Sequence, residues 1–263
     1  MWGVADFVGG ILTKKHQVTT VVWISQVFGL TAISLFGLTQ GFTFTPEVLM
    51  WGSAASLTGY LGLMAFYKAL AIGQMGIVSP IAALGVLVPL SVGLLGGETL
   101  SGLQIIGIVF AISGIVLASG PELNGKANPK PVWLALLAAL GFGLCLAAIA
   151  RGSETDAITT MTVMRMQTVT LGLFVWMKAR PKITFTSKEW LALVFIGIFD
   201  IGANLAFGFA TTGDLLALVS VLGSVYPVFT VLLAWWILRE RLMSIQYVGV
   251  LLALLGVGGI AGG

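Results

Sequence analysis

The sequence predicts an all-α integral membrane protein in which ten transmembrane helices form two inverted five-helix repeats. Three observations carry this prediction: a very apolar composition, ten apolar segments, and a stretch that occurs twice. Of the 263 residues, 58% are hydrophobic and only 9% are charged, whereas soluble domains carry about 25% charged residues. So few charges cannot cover a water-exposed surface, so we expect most of the surface to face lipid.

The composition also argues against several classes of function. The formal net charge is only +3, and no basic cluster alternates with aromatic residues, so nucleic-acid binding has no support. The single cysteine, Cys145, cannot form an intrachain disulfide. With one histidine, we expect neither a His-rich metal site nor a Ser-His-Asp triad, and we predict no cofactor, no metal and no enzymatic activity. The basic pair Lys14 and Lys15 follows the first apolar run, which is the wrong order for a cleavable signal peptide.

A spanning helix needs about 20 apolar residues, and most of the ten apolar segments come close to that length. The first covers only about 18 Å at 1.5 Å per residue, so either it is a half-helix or residues precede Met1, and we favour the second explanation. The segments are 1–12, 18–39, 47–70, 75–97, 101–119, 131–150, 157–177, 188–210, 214–238 and 244–260.

The repeated stretch is residues 98–114, ETLSGLQIIGIVFAISG, which returns at 240–256 as ERLMSIQYVGVLLALLG. The shift of 142 pairs Glu98 with Glu240 and Gln104 with Gln246, and these residue types are scarce in this chain. Similarity at so long a spacing indicates a duplicated half-domain. In a membrane protein, such a duplication is typical of transporters.

A polar linker at 120–130 divides the chain into a first repeat, 1–119, and a second, 131–263. Its Pro, Gly and Asn residues disfavour helix. Each repeat holds five segments, and because five is odd, equivalent helices should cross the membrane in opposite directions.

The basic residues give an orientation, because positive charge collects in cytoplasmic loops. The even-numbered loops hold only Arg151. This bias predicts a multi-pass protein of the cell inner (plasma) membrane with both termini outside, unless a further span precedes Met1. The odd-numbered loops hold Lys14, Lys15, Lys126, Lys130, Lys178, Arg180, Lys182, Lys188, Arg239 and Arg241.

Three stretches resemble a known family: WGVADFVGG in segment 1, SVYPVFTVLLAWWILRERL in segment 9, and the hairpin stretch in both halves. Across essentially its whole length the chain resembles the ten-helix, EamA-type permeases of the drug/metabolite transporter superfamily. One departure is that the position corresponding to Pro227 in the first half is Gly85, flanked by Pro80 and Pro89. The resemblance implies a secondary transporter with a central site between the halves, without naming a substrate.

Charges inside a bilayer are costly and usually functional or paired. Arg165 in segment 7 and Asp200 in segment 8 lie at similar depth on neighbouring helices. They form either an ion-paired binding site or a structural salt bridge, and the sequence leaves both interpretations open. Asn204 shares a helical face with Asp200, and Gln26 in segment 2 is a further candidate for substrate binding.

Asp6 is a candidate for proton coupling, as is Asp200, because a buried carboxylate can exchange a proton in the working pH range. The alternative is that Asp6 pairs with Lys68 or Arg165.

Segment 9 places Ser224 and Tyr226 beside Pro227, and we predict that both line the substrate site. Proline opens a kink in a membrane helix, so Pro80, Pro89 and Pro227 are predicted gating or kink positions.

The carboxylates of Glu98 and Glu240 precede helices 5 and 10, where they are expected to cap free N–H groups. Gly93 and Gly97 form a GxxxG motif that serves close packing or dimerisation.

Together these features predict a secondary active transporter that moves a small polar or amphipathic metabolite by alternating access, coupled to a proton or another ion. Its partners would be that small molecule and the bilayer, as a monomer or homodimer. The alternatives are a membrane enzyme or flippase acting on a lipid-linked substrate, or a non-transporting membrane partner protein.

Overall fold

The structure is a computed structural model that describes residues 1–118, 129–179, 183–213, 215–237, 239 and 243–261. All regular structure in these ranges is helical. The helices are α1 (Trp2–Thr13), α2 (Val18–Gln40), α3 (Pro46–Ile72), α4 (Met75–Ala83), α5 (Leu87–Leu95), α6 (Gly102–Ala118), α7 (Pro129–Ala179), α8 (Ser187–Gly213), α9 (Leu216–Gly223), α10 (Tyr226–Ile237) and α11 (Ser244–Ala261), with a 3-10 turn at Leu84–Val86.

By length and composition, five stretches of these helices are apolar enough to cross a membrane: 18–40, 46–72, 130–179, 187–213 and 216–237. Large apolar side chains such as Leu57, Leu137 and Phe174 are exposed on their outer faces, as expected where a protein surface meets lipid. The expectation of an all-helical protein with helices apolar enough to cross a membrane is therefore confirmed. Most of the 120–130 linker lies outside the described residues, and α7 already begins at Pro129.

Local sequence signals explain where several helices begin. The Thr45 hydroxyl accepts the N–H of Val48 at 3.2 Å, and Pro46 occupies the first position of α3, which is the first-turn position that suits proline. At α6, Ser101 and Gln104 cap each other's backbone N–H groups, the reciprocal pattern of a capping box. The repeated glutamine at 104 is thus a helix-start residue.

The 51 residues of α7 form a helical hairpin that reverses at Asp156, whose backbone is extended (φ −161°, ψ 109°). The Asp156 carboxylate accepts the N–H of Thr159 at 2.8 Å and so caps the second arm. Both arms lie against α3: Gly62 meets Gly141 of the first arm, and Gly52 meets Val163 of the second. The two predicted segments, 131–150 and 157–177, correspond to these arms.

Segments 4 and 9 are not continuous helices, which corrects the prediction that each is a single apolar helix. The first is interrupted at Leu84–Val86, and the second between Gly223 and Tyr226. Each interruption comes just before a proline, Pro89 or Pro227. Proline has no N–H to donate to the carbonyl four residues earlier, and the helix ladder therefore fails at Gly85 and Gly223.

The two interrupted helices pass each other in opposite directions. Helix α4 packs against α10, and α5 packs against α9, so the first half of one helix meets the second half of the other. The two interruptions therefore lie side by side inside the bundle. Pro80 falls within α4, but its side chain lies outside the described part of the chain.

The strongest helix contacts are α3 with α7 and α6 with α11, followed by α2 with α7 and with α8. Small residues allow the helices of these pairs to approach each other closely. A Cβ built on Gly141 would lie 2.7 Å from the Cα of Gly62, and one built on Gly256 would lie 2.4 Å from the backbone nitrogen of Ala111. Backbones in direct contact are the usual solution where lipid supplies no hydrophobic driving force between helices.

Candidate functional site

A cavity lies where the two interruptions face each other. The empty space in and around it amounts to about 800 Å³, which includes space that opens to the outside. Both interruptions line it, through Gly85 and Val86 on one side and Gly223 and Ser224 on the other. Helices α1, α2, α3, α7 and α8 supply most of the remaining wall, and the adjoining ends of α4 and α10 complete it.

The polar part of the wall is built around an ion pair. A guanidinium nitrogen (Nη2) of Arg165 donates to Oδ2 of Asp200 at 2.8 Å. The Arg165 side chain is 5% exposed and that of Asp200 19%. Such a pair persists in a low-dielectric site only if both ions are compensated, and it fastens the second arm of α7 to α8.

Two amides complete the environment of Asp200. The Gln26 amide donates to Asp200 Oδ2 at 3.3 Å. The Asn204 amide donates to Oδ1 at 3.3 Å and to the Asp200 backbone carbonyl at 2.9 Å. Asp200 thus accepts hydrogen bonds from three helices, so its position is tightly fixed.

Two buried polar atoms beside this pair have no partner among the described residues: Nε of Arg165, a donor, and Oε1 of Gln26, an acceptor. Arg165 is 4% exposed and Gln26 is 1% exposed. An unsatisfied buried polar group costs about 1–3 kcal/mol, so a solute bringing an acceptor and a donor to this wall would recover that cost.

Asp6 lines the same cavity from α1, but its carboxylate makes no hydrogen bond or ion pair within the ranges that the structure describes. The alternative expectation, a pair with Lys68 or Arg165, is therefore wrong: Lys68 is exposed and Arg165 bonds to Asp200. Aromatic rings stand beside Asp6, with Trp2 packed edge-on to Tyr226 at 6.1 Å.

The cavity gathers all seven residues predicted for binding or coupling. Their roles stay predictions, but their convergence is a structural fact. They are Asp6, Gln26, Arg165, Asp200, Asn204, Ser224 and Tyr226. Pro89 and Pro227 do not line the cavity, but Gly85 and Gly223, whose carbonyls lack the hydrogen bond that these prolines cannot donate, do line it.

Sequence reasoning missed the apolar wall, which includes Trp2, Tyr60, Phe142 and Cys145. The sequence gives no signal for them, because an apolar side chain that faces lipid and one that faces a cavity look alike in a helix that is apolar all round. The structure places Cys145 beside Gly59, where a Cβ would lie 2.8 Å from Cys145 Sγ.

Within the described ranges no three His, Cys, Asp or Glu side chains lie close enough together to hold a metal ion. Asp6 and Asp200 are the acidic side chains on the cavity wall. The chemistry of the wall is thus that of one ion pair, one further carboxylate, amides and hydroxyls.

The all-helical fold, the helices apolar enough to cross a membrane and the charged internal cavity are typical of a membrane transporter. Residues 129–262 match the model of the EamA-like transporter family. This match covers half of the chain, so the chain belongs to that family, whose members are transporters of the drug/metabolite type rather than enzymes.

One solved crystal structure, whose description names no function, superposes with a TM-score of 0.74 at 19% sequence identity. The match covers 98% of this chain and 96% of that chain. At this identity the likeness shows a shared fold alone. No curated protein sequence matches the chain.

Proposed function

We propose that the protein is a secondary active transporter that moves a small polar or amphipathic solute by alternating access, with the solute bound in the cavity between the interrupted helices. The observation that carries the proposal is this cavity, where two broken helices cross beside a buried ion pair. Unwound backbone at membrane depth is tolerated where it lines a cavity or is buried in protein, and in transporters it marks the substrate site.

The pattern of helix contacts supports ten spans arranged as two inverted five-helix repeats. The interrupted helix α4–α5 packs against α7, and its counterpart α9–α10 packs against α1. Helix α3 packs against α7, and its counterpart α8 packs against α1 and α2. Helices α6 and α11, which carry the repeated stretch, pack against each other. Contacts that occur in exchanged pairs are expected of a two-fold arrangement of similar halves.

Of the two carboxylates on the cavity wall, Asp6 is the better candidate for proton coupling. Asp200 is held by Arg165 and two amides, so protonating it would break an ion pair. Asp6 has no such partner within the described ranges, so it can gain or lose a proton without breaking an ion pair there. We therefore assign proton exchange to Asp6 and solute contact to Arg165, Gln26 and Asn204.

Cys145 provides a direct test, because it is the single cysteine in the sequence and it lines the cavity. A solute that occupies the cavity should slow the reaction of Cys145 with a thiol reagent and raise the melting temperature of the purified protein by mass action. We expect a panel of small metabolites to contain such a solute, and liposomes containing the protein to transport it.

The matched variants are Asp200→Asn and Arg165→Ala at the cavity, with Asp156→Asn, away from the cavity, as a control. Protection of Cys145 should disappear in the first two and persist in the third. A solute that protects Cys145 equally well in all four proteins would contradict the assigned site.

A further inference from the structure

The loop between α5 and α6 reaches across to the start of α9. The two carboxylate oxygens of Glu98 accept the backbone N–H groups of Leu216 and Ala217, each at 2.9 Å. The contact spans 118 residues and joins the first half of the chain to the second. Glu98 therefore caps a helix in the other half of the chain. It was expected to cap the helix that follows it, α6, but α6 has its own capping box.

The surrounding backbone is shaped for this contact. Gly97 has φ +94°, which an L side chain rarely adopts, and this turn directs Glu98 away from α6. A Cβ on Gly93 would lie 2.5 Å from Glu98 Oε2, so Gly93 leaves room for the carboxylate. The two glycines of the GxxxG motif at 93 and 97 thus accommodate Glu98.

Among the residues that the structure describes, Glu98 supplies the side-chain cap of α9. The residue before it, Leu215, has no side-chain acceptor, and no side chain of α9 caps its start. Free N–H groups and the helix dipole make such a start attractive to an anion. Because Glu98 is only half-buried, water can replace either partner when the two separate, so the contact can open and close.

The contact lies between the cavity and one end of the helix bundle, at the opposite end of α9 from the cavity-lining Gly223. Helix α9 ends at Gly223, next to Ser224, and α5 begins directly after Gly85 and Val86. All four of these residues line the cavity. Helices α5 and α9 pack together, and Glu98 fastens their far ends. Counting helix directions, this end is the one with the 41–45 loop and the Asp156 turn.

We propose that Glu98 is a gate residue: its bond to the start of α9 holds that end of the cavity closed, and release of the bond opens the cavity to that side. The proposal rests on the proposed transport function. Glu98 touches no solute and acts only by positioning α5 against α9.

The test uses Cys145 as a reporter of access, with a membrane-impermeant thiol reagent applied to right-side-out and to inside-out vesicles. The side on which Glu98 lies is fixed separately by labelling Gly102→Cys in a Cys145→Ala background, since position 102 is exposed in the same loop region. Glu98→Ala should raise the labelling rate of Cys145 from that side by about tenfold or more, because a charged hydrogen-bonded contact is lost. Labelling from the opposite side should not rise.

Gly93→Ala provides a second variant that keeps Glu98 and pushes its carboxylate away, and it should shift labelling in the same direction. Glu154→Gln, on an exposed carboxylate at the same end, serves as the matched control and should behave as the unmodified protein. Melting temperatures establish that each variant is folded.

Unchanged labelling in both folded gate variants would overturn the proposal. An equal rise from both sides would do the same, because it would indicate general loosening. The readout needs no solute, so it is independent of the transport assay. If Cys145 labelling rises in the gate variants but the protein transports no solute, only the proposed function is refuted. If the protein transports a solute but Cys145 labelling does not change in the gate variants, only the gate is refuted.

Discussion

Arg165 and Asp200 show how one contact can serve both binding and stability. The pair closes at 2.8 Å between two helices, yet Nε of Arg165 has no hydrogen-bond partner in the described part of the chain. A purely structural bridge would be expected to use the whole guanidinium group. The unused donor favours a role in solute contact in addition to helix packing.

Substitutions at this pair can separate the two roles. Arg165→Ala leaves Asp200 as an unpaired buried charge, so we expect it to lose about 3–5 kcal/mol of stability. The double variant Arg165→Met with Asp200→Leu removes both charges and should recover most of that loss, because apolar replacements of buried pairs are often neutral. Chemical unfolding in detergent measures both changes.

Protection of Cys145 by a bound solute should stay lost in the double variant. If the double variant is stable and still binds and transports the solute normally, the pair is only structural.

Asp6 leads to a prediction about energy coupling. In Asp6→Asn the side chain keeps its size but cannot release a proton, so an imposed pH gradient should no longer drive accumulation. Solute exchange without a gradient should persist. Transport into liposomes with and without a pH gradient measures this difference. If the pH gradient still drives accumulation in Asp6→Asn, then Asp6 is not the residue that couples transport to protons.

At the residue scale, the polar side of the site was predictable and the apolar side was not. Charges are so scarce in an apolar chain that Asp6, Arg165 and Asp200 stand out by themselves. Phe142 and Cys145 carry no such signal, because only the fold decides whether they face lipid or the cavity. The partner of Glu98 was equally hidden, because its cap lies 118 residues away.

At the scale of helices, the crossing of α3 and α7 depends on glycines. The backbones touch at Gly62 and Gly141, and Thr58 contributes a carbonyl 2.8 Å from where a Cβ on Gly141 would lie. Because backbone atoms cannot swing aside as a flexible side chain can, an added methyl group must push the helices apart.

Gly141→Ala should therefore destabilise the protein by about 1–3 kcal/mol, the usual cost of overpacking, even though alanine favours helix over glycine. Gly102→Ala is the control, since nothing lies within 4 Å of its Cβ position. Thermal unfolding of the two variants compares them directly. A Gly141→Ala protein as stable as the control would show that the helices can separate without cost.

The helices themselves were largely predictable, because their apolar runs and their caps are local. Two helix starts are indicated by local capping residues in the sequence, Thr45 with Pro46 and Ser101 with Gln104. The interruptions were harder to predict: the Leu84–Val86 turn contains residues that fit an α-helix, and only Pro89 hints at a break. Pro89 removes one helix hydrogen bond, but that the turn lies against α7 is tertiary information.

For the whole molecule, the distribution of charge predicts a direction in the membrane. The loop end that holds Lys14 and Lys15 should face the cytoplasm, and the end that holds Glu98 should face outward. In a Cys145→Ala background, an impermeant thiol reagent outside the cell should label Gly102→Cys and spare Lys15→Cys. The reverse pattern would invert the orientation and the side to which Glu98 opens the cavity.

The buried ion pair also has a consequence for biosynthesis. Arg165 reaches the membrane first, and Asp200 follows 35 residues later. A charge in the middle of a lone helix costs about 2.5–3.5 kcal/mol to insert, so the second arm of α7 should enter the bilayer poorly until α8 has been synthesised. Insertion assays on ribosome-bound chains ending at residue 185 or 213 can test this. The second arm of α7 should integrate well only in the longer chain, where it enters the bilayer together with α8 and Asp200 neutralises Arg165.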